Sequence, residues 1–411
     1  MWALALLAAL LAGCAAKLPE QPPTWQATPF ITTFWCAPPL DALDDARLAQ
    51  IAAAGFTTIG APCEGELSVE ANRRALAAAA RQGLRMWVAD HRLYAAASGA
   101  PGAAAQVAAV AADYRDQPAL DGYAVADEPT TAAFPAVAAT VAALRAADPA
   151  RLAYVNLLPD YVPPPLLGAA SYDDYLERFA LAVRPQLLSV DYYPFGATKD
   201  RSTFFANLEA LRAAALRHDL PFLWIVLAMP HGPYRDPTEP ELTWQVFHAL
   251  AYGARGISYF TYWTPPDPKG EWQHRHGIIE HGEPTERYAH VARLNRVARA
   301  IAAALSGWGS LAVADSLGEV GAPFPIGPIA ALDGGPITAG LFGDGRGGIA
   351  ALLVNRDYRA AVTARLQLRS GAALPDAFDP DSGQWRRANT LEWPLAPGAA
   401  VLLRWSAEPS S

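Results

Sequence analysis

From Phe30 onward one pattern repeats along the chain: a short β-rich run, a polar or glycine break, an alanine-rich helical run, and the next strand. The strand-like runs begin at residues 30, 56, 84, 122, 152, 187, 222 and 257, spaced 26 to 38 residues apart. So even a spacing of eight βα units is what one (β/α)8 TIM barrel requires, and a doubly wound sheet does not demand it. The pattern predicts strands at Phe30–Cys36, Phe56–Gly60, Leu84–Ala89, Gly122–Asp127, Leu152–Leu157, Leu187–Val190, Phe222–Ala228 and Ile257–Trp263. It predicts helices over Asp44–Ala54, Val69–Gln82 behind the cap Ser68, Ala103–Tyr114, Thr131–Ala147, Tyr172–Val183, Phe204–His218, Glu239–Tyr252 and from Pro284 to Leu305. The α/β barrel would thus occupy residues 29–306.

Past Trp308 the helical period disappears. Val362, Ala364, Leu366 and Leu368 alternate with Thr363, Arg365, Gln367 and Arg369, the pattern of a strand with one wet face. Further short runs broken by Asp-Ser-Gly and Pro-Gly predict a small C-terminal antiparallel β-sandwich over 307–411, structural in role and packed on the last barrel helix.

The amino terminus reads separately. An apolar run from Trp2 to Leu11 is too short to span a bilayer, and it leads into Leu11-Ala12-Gly13-Cys14, which resembles the bacterial lipobox. That resemblance implies a signal peptide over 1–14, a lipid anchor on Cys14 and a place in the cell envelope, with residues 15–28, containing Pro19, Pro22 and Pro23, as a tether. Two cysteines then remain, Cys36 and Cys63, in a context that permits disulfides. They fall at the same ends of neighbouring strands, so they are expected close in space; a bond also needs their Cβ atoms to face one another. A net charge of -8 without an acidic block or basic stripe gives no sign of a nucleic-acid partner. No Cys/His spacing suits zinc, no nucleotide-binding glycine loop follows a strand and no GxSxG elbow is present, so neither metal nor cofactor is expected. His274-Arg275-His276 reads as solvated loop surface. No pattern specifies an oligomeric state.

In barrels of this kind chemistry collects at the carboxyl ends of the strands. Aligning the eight ends gathers Trp35, Glu64, Asp90, His91, Asp127, Glu128, Asn156, Asp191, Tyr193, His231 and Trp263 about one mouth, with Trp272 in the loop that follows. The fourth strand is the most telling, since an apolar run stops on Asp127-Glu128-Pro129. Acidic residues before a helix also arise merely to complement its dipole. Carboxylates, an amide and aromatics together are, however, the mixture that glycosidic bond cleavage needs: an acid for the leaving oxygen, a second carboxylate for water or the anomeric carbon, and rings for sugar faces.

Residues 29 to 306 resemble the large clan of (β/α)8 glycoside hydrolases whose fourth strand ends in Asn-Glu-Pro. The run Leu250 to Phe260 is similar to the approach to the last strand in β-galactosidase-like members. The resemblance implies Glu128 as acid/base and Trp263 as a sugar-stacking ring, with Asp127 where the clan has asparagine. It departs at strand seven, where the clan's nucleophilic glutamate is replaced by Ala228-Met229-Pro230-His231. Asp191 then becomes the favoured second carboxylate, facing Glu128 across a gap expected to hold a water; Glu64 and Asp90 are weaker candidates. The sequence thus supports a glycoside hydrolase acting on an oligo- or polysaccharide, with Glu128, Asp191 and Asp127 catalytic. The remaining mouth residues, Trp35, Glu64, Asp90, His91, Asn156, Tyr193, His231, Trp263 and Trp272, would bind substrate. The alternative is an inactive barrel serving as a surface glycan-binding lipoprotein.

Overall fold

The computed structural model describes residues 24–27, 30–319 and 321–405. Eight strands run in parallel: β1 (Ile31–Phe34), β2 (Thr58–Ile59), β3 (Arg85–Ala89), β4 (Leu120–Asp127), β5 (Leu152–Asn156), β6 (Leu188–Asp191), β7 (Phe222–Leu227) and β8 (Gly256–Phe260). They form two four-stranded sheets, β2-β3-β4-β5 and β1-β8-β7-β6. At one seam the Thr57 amide donates to the Thr32 carbonyl at 2.9 Å and Ala37 bridges Pro62. At the other, the Leu157 amide donates to the Ser189 carbonyl at 2.8 Å and Leu157 bridges Val190.

The crossovers carry α1 (Asp45–Ala53), α2 (Val69–Arg81), α3 (His91–Ala97), α4 (Ala103–Tyr114), α5 (Phe134–Ala147), α6 (Pro164–Leu167), α7 (Tyr172–Val183), α8 (Phe204–Arg217), α9 (Glu239–Ala251) and α10 (Glu286–Ala304). Asp44 and Ser68 cap α1 and α2 by accepting the amides of Arg47 and Ala71. Strands buried on both faces read as continuous apolar runs, as in Phe222–Leu227, and helices bury one stripe against them.

Two boundaries differ from the sequence pattern in ways that matter for the site. Asp90 does not end a strand beside a free histidine; it caps α3, a helix its flanking alanines hide among similar residues. The eighth strand stops at Phe260 rather than Trp263, because the chain leaves the sheet and Trp263 instead pairs with Ile279 in the following loop. That loop contains a small hairpin, β9 (Ile279–Glu280) and β10 (Glu283–Pro284).

The carboxyl-terminal unit contains β11 (Gly309–Asp315), β12 (Ile329–Asp333), β13 (Ile337–Gly343), β14 (Ile349–Asn355), β15 (Val362–Leu368), β16 (Asp376–Asp379), β17 (Gln384–Arg387), β18 (Glu392–Leu395) and β19 (Ala400–Trp405). All pairings are antiparallel, in a six-stranded sheet β11-β13-β14-β19-β16-β17 and a three-stranded sheet β12-β15-β18. Ile329, Leu341, Leu353, Leu366 and Leu403 fill the space between them. Although α10 meets the unit through the Arg296–Asp381 ion pair in the turn between β16 and β17, the other face of the larger sheet packs on α9 rather than on the last helix where the sequence placed it. Gly340 permits this approach, since a Cβ there would sit 2.0 Å from the Ala251 carbonyl oxygen. Trp244 Nε1 donates to the Arg356 carbonyl at 2.8 Å, and His248 Nε2 lies 3.2 Å from Thr338 Oγ1.

Cys36 and Cys63 form a disulfide, with Cα atoms 4.6 Å apart, joining the segments after β1 and β2. Cys14 and the rest of the expected signal peptide lie outside the described residues, as does most of the expected tether. Among the described residues no helix is long and apolar enough to cross a membrane.

Candidate active site

Three adjacent parallel strands deliver the polar centre. Asp127 is the last residue of β4, Asn156 of β5 and Asp191 of β6. Beyond Asp127 the chain turns through Glu128 at φ +48°, a left-handed conformation that costs a residue with a Cβ about 1–3 kcal/mol. Two contacts hold that turn: the Glu128 amide donates to the Asn156 carbonyl at 2.9 Å, and the Tyr175 hydroxyl donates to the Pro129 carbonyl at 2.7 Å. α5 begins only at Phe134, so Glu128 is presented by a turn and not by a helix end.

Asn156 links the carboxylates. Its Nδ2 lies 2.8 Å from Asp191 Oδ1 and 3.1 Å from Asp127 Oδ1. The amide orientation is fixed from behind, because Ser189 Oγ donates to Asn156 Oδ1 at 3.2 Å and Tyr154 OH lies 2.9 Å from Ser189 Oγ. With its proton given to Asn156, Ser189 accepts from Tyr154, whose ring lies 6.2 Å from that of Trp35.

Glu128 and Asp191 stand close enough for one carboxyl to hydrogen-bond the other when one of them carries a proton. β5 is the only strand between them, and its short Asn156 side chain draws the group together. Burial pushes the Glu128 carboxyl well above its ordinary range, and the negative charges of Asp191 and Asp127 and the bond to Asp191 push it the same way. Burial likewise raises Asp191, opposed by the hydrogen bond from Asn156, with Asp127 raising it further and the bond from Glu128 lowering it. The pair therefore holds a proton more tightly than free carboxyls do, and the larger rise is that of Glu128. Asp127 is also raised by burial, against the bond from Asn156. Asp191 is closed from solvent, whereas Glu128 and Asp127 keep solvent-facing surface; water at their open side screens the shift without reversing its direction.

One wall beside the pair is aromatic. The Tyr193 ring meets His231 at 5.1 Å, Tyr234 at 5.2 Å and Phe260 at 5.6 Å. His231 stands beyond β7, lies 3.2 Å through Nδ1 from the Met229 carbonyl, and is lowered by burial to about 4. A carbonyl can only accept, so Nδ1 carries the proton and neutral His231 presents Nε2 as an acceptor. Tyr161 and Tyr234 continue the wall, their hydroxyls 3.1 Å apart.

Several expected mouth residues are engaged elsewhere. Asp90 binds both Arg92 Nε at 3.0 Å and Nη2 at 2.7 Å and accepts from Tyr114 OH at 3.0 Å, so it braces α3 instead of reaching a sugar. His91 is exposed on the first turn of that helix. Glu64 accepts from Trp263 Nε1 at 3.0 Å, and the Arg47 guanidinium covers the Trp263 ring at 5.3 Å, taking one of the two faces that sugar stacking would use. Trp272 is 53% exposed and packs over Gly232, next to His231, at the rim. Asn156, Tyr193 and His231 are with the carboxylates. Tyr154, Tyr161, Tyr234, Phe260 and Arg201 escaped the sequence reading; four of them lie behind or beyond the aligned strand ends, and Phe260 was taken as mid-strand.

A cavity of about 1050 Å³ lies far from this chemistry, at the amino-terminal end of the strands, between α10 and the ends of α1 and α9. Among the described residues no three His, Cys, Asp or Glu side chains converge as a metal-ligand set.

No protein-family model matches the chain, and no curated protein matches it. Among solved structures it is similar to the β-galactosidase from Bacillus circulans sp. alkalophilus, at 9% identity over 92% of this chain and 99% of that one, with a TM-score of 0.62. A glycoside hydrolase family 5 protein from Bacteroides vulgatus gives 10% identity, coverage of 93% and 89%, and a TM-score of 0.56. The β-galactosidase from the psychrophilic Marinomonas ef1 gives 12%, coverage of 67% and 60%, and 0.50, so this chain spans about 60% of that protein's length. The fold is thus one that glycoside hydrolases share.

Proposed function

We propose that the chain is a glycoside hydrolase, its two sheets forming one (β/α)8 barrel with a C-terminal β-sandwich, and that it cleaves an O-glycosidic bond of an oligo- or polysaccharide. The observation that carries the reading is the cluster of Asp127, Glu128 and Asp191 at neighbouring strand ends, two of its carboxyls tied together by Asn156, in which burial and mutual charge keep the Glu128 carboxyl protonated. A carboxylic acid kept protonated beside a carboxylate is the acid and partner pair of glycoside hydrolysis. Glu128 gives its proton to the leaving oxygen as the bond to the anomeric carbon breaks. Retaining enzymes hold their carboxyls about 5–5.5 Å apart and inverting ones about 6.5–9.5 Å. Asp191 is the second carboxylate, attacking the anomeric carbon or activating a water, as its separation from Glu128 in the sugar-bound protein decides. Asp127 accepts from a sugar hydroxyl and adds charge that keeps Glu128 protonated.

The lipobox-like Leu11-Ala12-Gly13-Cys14 supports placing the protein in the cell envelope, anchored through Cys14. The absence of a carboxylate from Ala228 to His231 favours a second reading, a glycan-binding barrel without turnover. One experiment separates them: the protein is incubated with aryl glycosides and polysaccharides while released sugar and bound sugar are both measured. Release that Glu128→Gln abolishes supports the hydrolase; binding without release across the panel overturns it.

A further inference from the structure

Arg201 is a cation without an ionic partner in the wall of this site. Its guanidinium lies over the Tyr161 ring, 3.7 Å from the centroid, and Nη2 donates to Tyr234 OH at 3.3 Å. No carboxylate forms an ion pair with it among the described residues, whereas Arg235, on the same side, is paired with both Asp200 and Glu241. Its Nε is buried with no hydrogen-bond acceptor. The nearest carboxyl whose charge it feels, Asp160, turns instead to Thr203 Oγ1 at 3.0 Å, and burial raises it to about 6. A half-buried guanidinium with unused donors is an arrangement that an incoming anion satisfies.

Its place in the wall is set by the rings it touches. Tyr234 stands 4.9 Å from His231 and 5.2 Å from Tyr193, ring to ring, and the charge of Asp191 reaches both Tyr193 and Tyr161. A sugar seated over Glu128 and Asp191 against Tyr193 therefore has Arg201 at its side, beyond Tyr161 and Tyr234. The two tyrosines are fixed by their mutual hydrogen bond and hold the guanidinium over Tyr161, and Nη1 has no hydrogen-bond partner among the described residues to compete with an incoming oxyanion.

We propose that Arg201, seated on Tyr161 and Tyr234, forms a subsite for an anionic sugar substituent, a uronate carboxylate or a sulfate ester. The inference rests on the glycoside hydrolase reading for the position of the sugar, but it concerns binding and can be tested without turnover.

The full-length protein in detergent is titrated with three disaccharides, followed by tryptophan fluorescence: one carrying a uronic acid, its carboxyl-reduced neutral counterpart, and an O-sulfated analogue. At least one anionic form should bind about 10- to 100-fold tighter than the neutral one, the range of a charge-assisted hydrogen bond. Which form does so distinguishes carboxylate from sulfate. In Arg201→Gln the ratio should fall toward one; in Arg201→Lys, which keeps the charge and loses the fork, it should be intermediate, and this variant serves if the first fails to fold. Equal binding of all three by the wild type, an unchanged ratio in Arg201→Gln, or no binding at all overturns the subsite. Preferential anion binding with no release of sugar from any substrate overturns the hydrolase reading and leaves the subsite standing.

Discussion

Asn156 Nδ2 and Asp191 Oδ1 lie 2.8 Å apart, and the same amide reaches Asp127 at 3.1 Å, so one neutral side chain on β5 works against the burial that raises the carboxyls on either side. Removing it in Asn156→Ala takes a donor from ionised Asp191, which then binds a proton more tightly. On the proposed mechanism Asp191 acts as a carboxylate, so the acidic limb of the kcat/KM profile should move to higher pH, and turnover should fall about 10- to 100-fold. An unmoved acidic limb would show that Asp191 does not titrate in the reaction.

Glu128→Gln should reduce kcat by a factor of about 10² to 10⁴ on glycosides with poor leaving groups, and by less on aryl glycosides that need little protonation. The same change should stabilise the fold. The native pKa of Glu128 is raised above its unfolded value, so the contribution of the protonated carboxyl to stability is complete below the unfolded pKa and is lost as pH rises through the native one. The glutamine variant should therefore melt a few degrees higher than wild type near pH 8, and the difference should vanish below about pH 4. Identical melting at both values would contradict the proton assignment.

Asp90→Asn tests whether that residue is a brace. Burial pushes the Asp90 carboxyl up, but hydrogen bonds from the Arg92 side chain, the Arg92 amide and Tyr114, with the charge of Arg92, together hold it below its ordinary range. Its stabilising effect is then present above the unfolded pKa near 3.9 and lost as pH falls through the lower native value. The variant should lose about 3 kcal/mol at pH 7 in denaturant titration, with KM unchanged. A raised KM at full stability would return Asp90 to the substrate site.

Replacing both Cys36 and Cys63 with alanine should lower stability by about 2–4 kcal/mol, as expected for a bond closing a loop with a sequence separation of 27. Thermal melts of the variant and of wild type, each without reductant, provide the check. Equal midpoints would mean that the bond constrains nothing.

Gly340→Ala should weaken the seat of the carboxyl-terminal sheets on α9, because the added methyl carbon meets the Ala251 carbonyl oxygen. Limited proteolysis should then cut between residues 305 and 345 at a protease concentration that leaves wild type intact. Equal resistance would mean that the interface yields without cost.

The eight βα units were legible because strand and helix periods are written locally, in runs such as Phe222–Leu227 and Tyr172–Val183. The acidic end of β4 was legible for the same reason, since Asp127 and Glu128 interrupt an apolar run. What the sequence hid was direction and partnership. Asp90 and Asp191 both follow apolar strands, yet Asp90 turns to an arginine two residues on and Asp191 to an asparagine on another strand. Trp263 reads as a strand end until the chain is seen to leave the sheet at Phe260. Arg201 and Tyr161 sit in loops, where no period marks a residue that another loop will complete.

The seat on α9 also bears on what can be exchanged between proteins of this architecture. Val313, Phe342, Leu352, Val354 and Leu402 belong to the same apolar core as the helices that cover the parallel strands, and α9 connects β7, which precedes His231, to β8. A chimera that keeps residues up to 306 and takes its last hundred from elsewhere would uncover an apolar side of α9 and loosen the very helix that spaces two strands of the site. Inheritance should therefore act on the two halves as one unit, and directed recombination in the laboratory succeeds only with crossovers that leave α9 and the β13–β14 pair in the same parent.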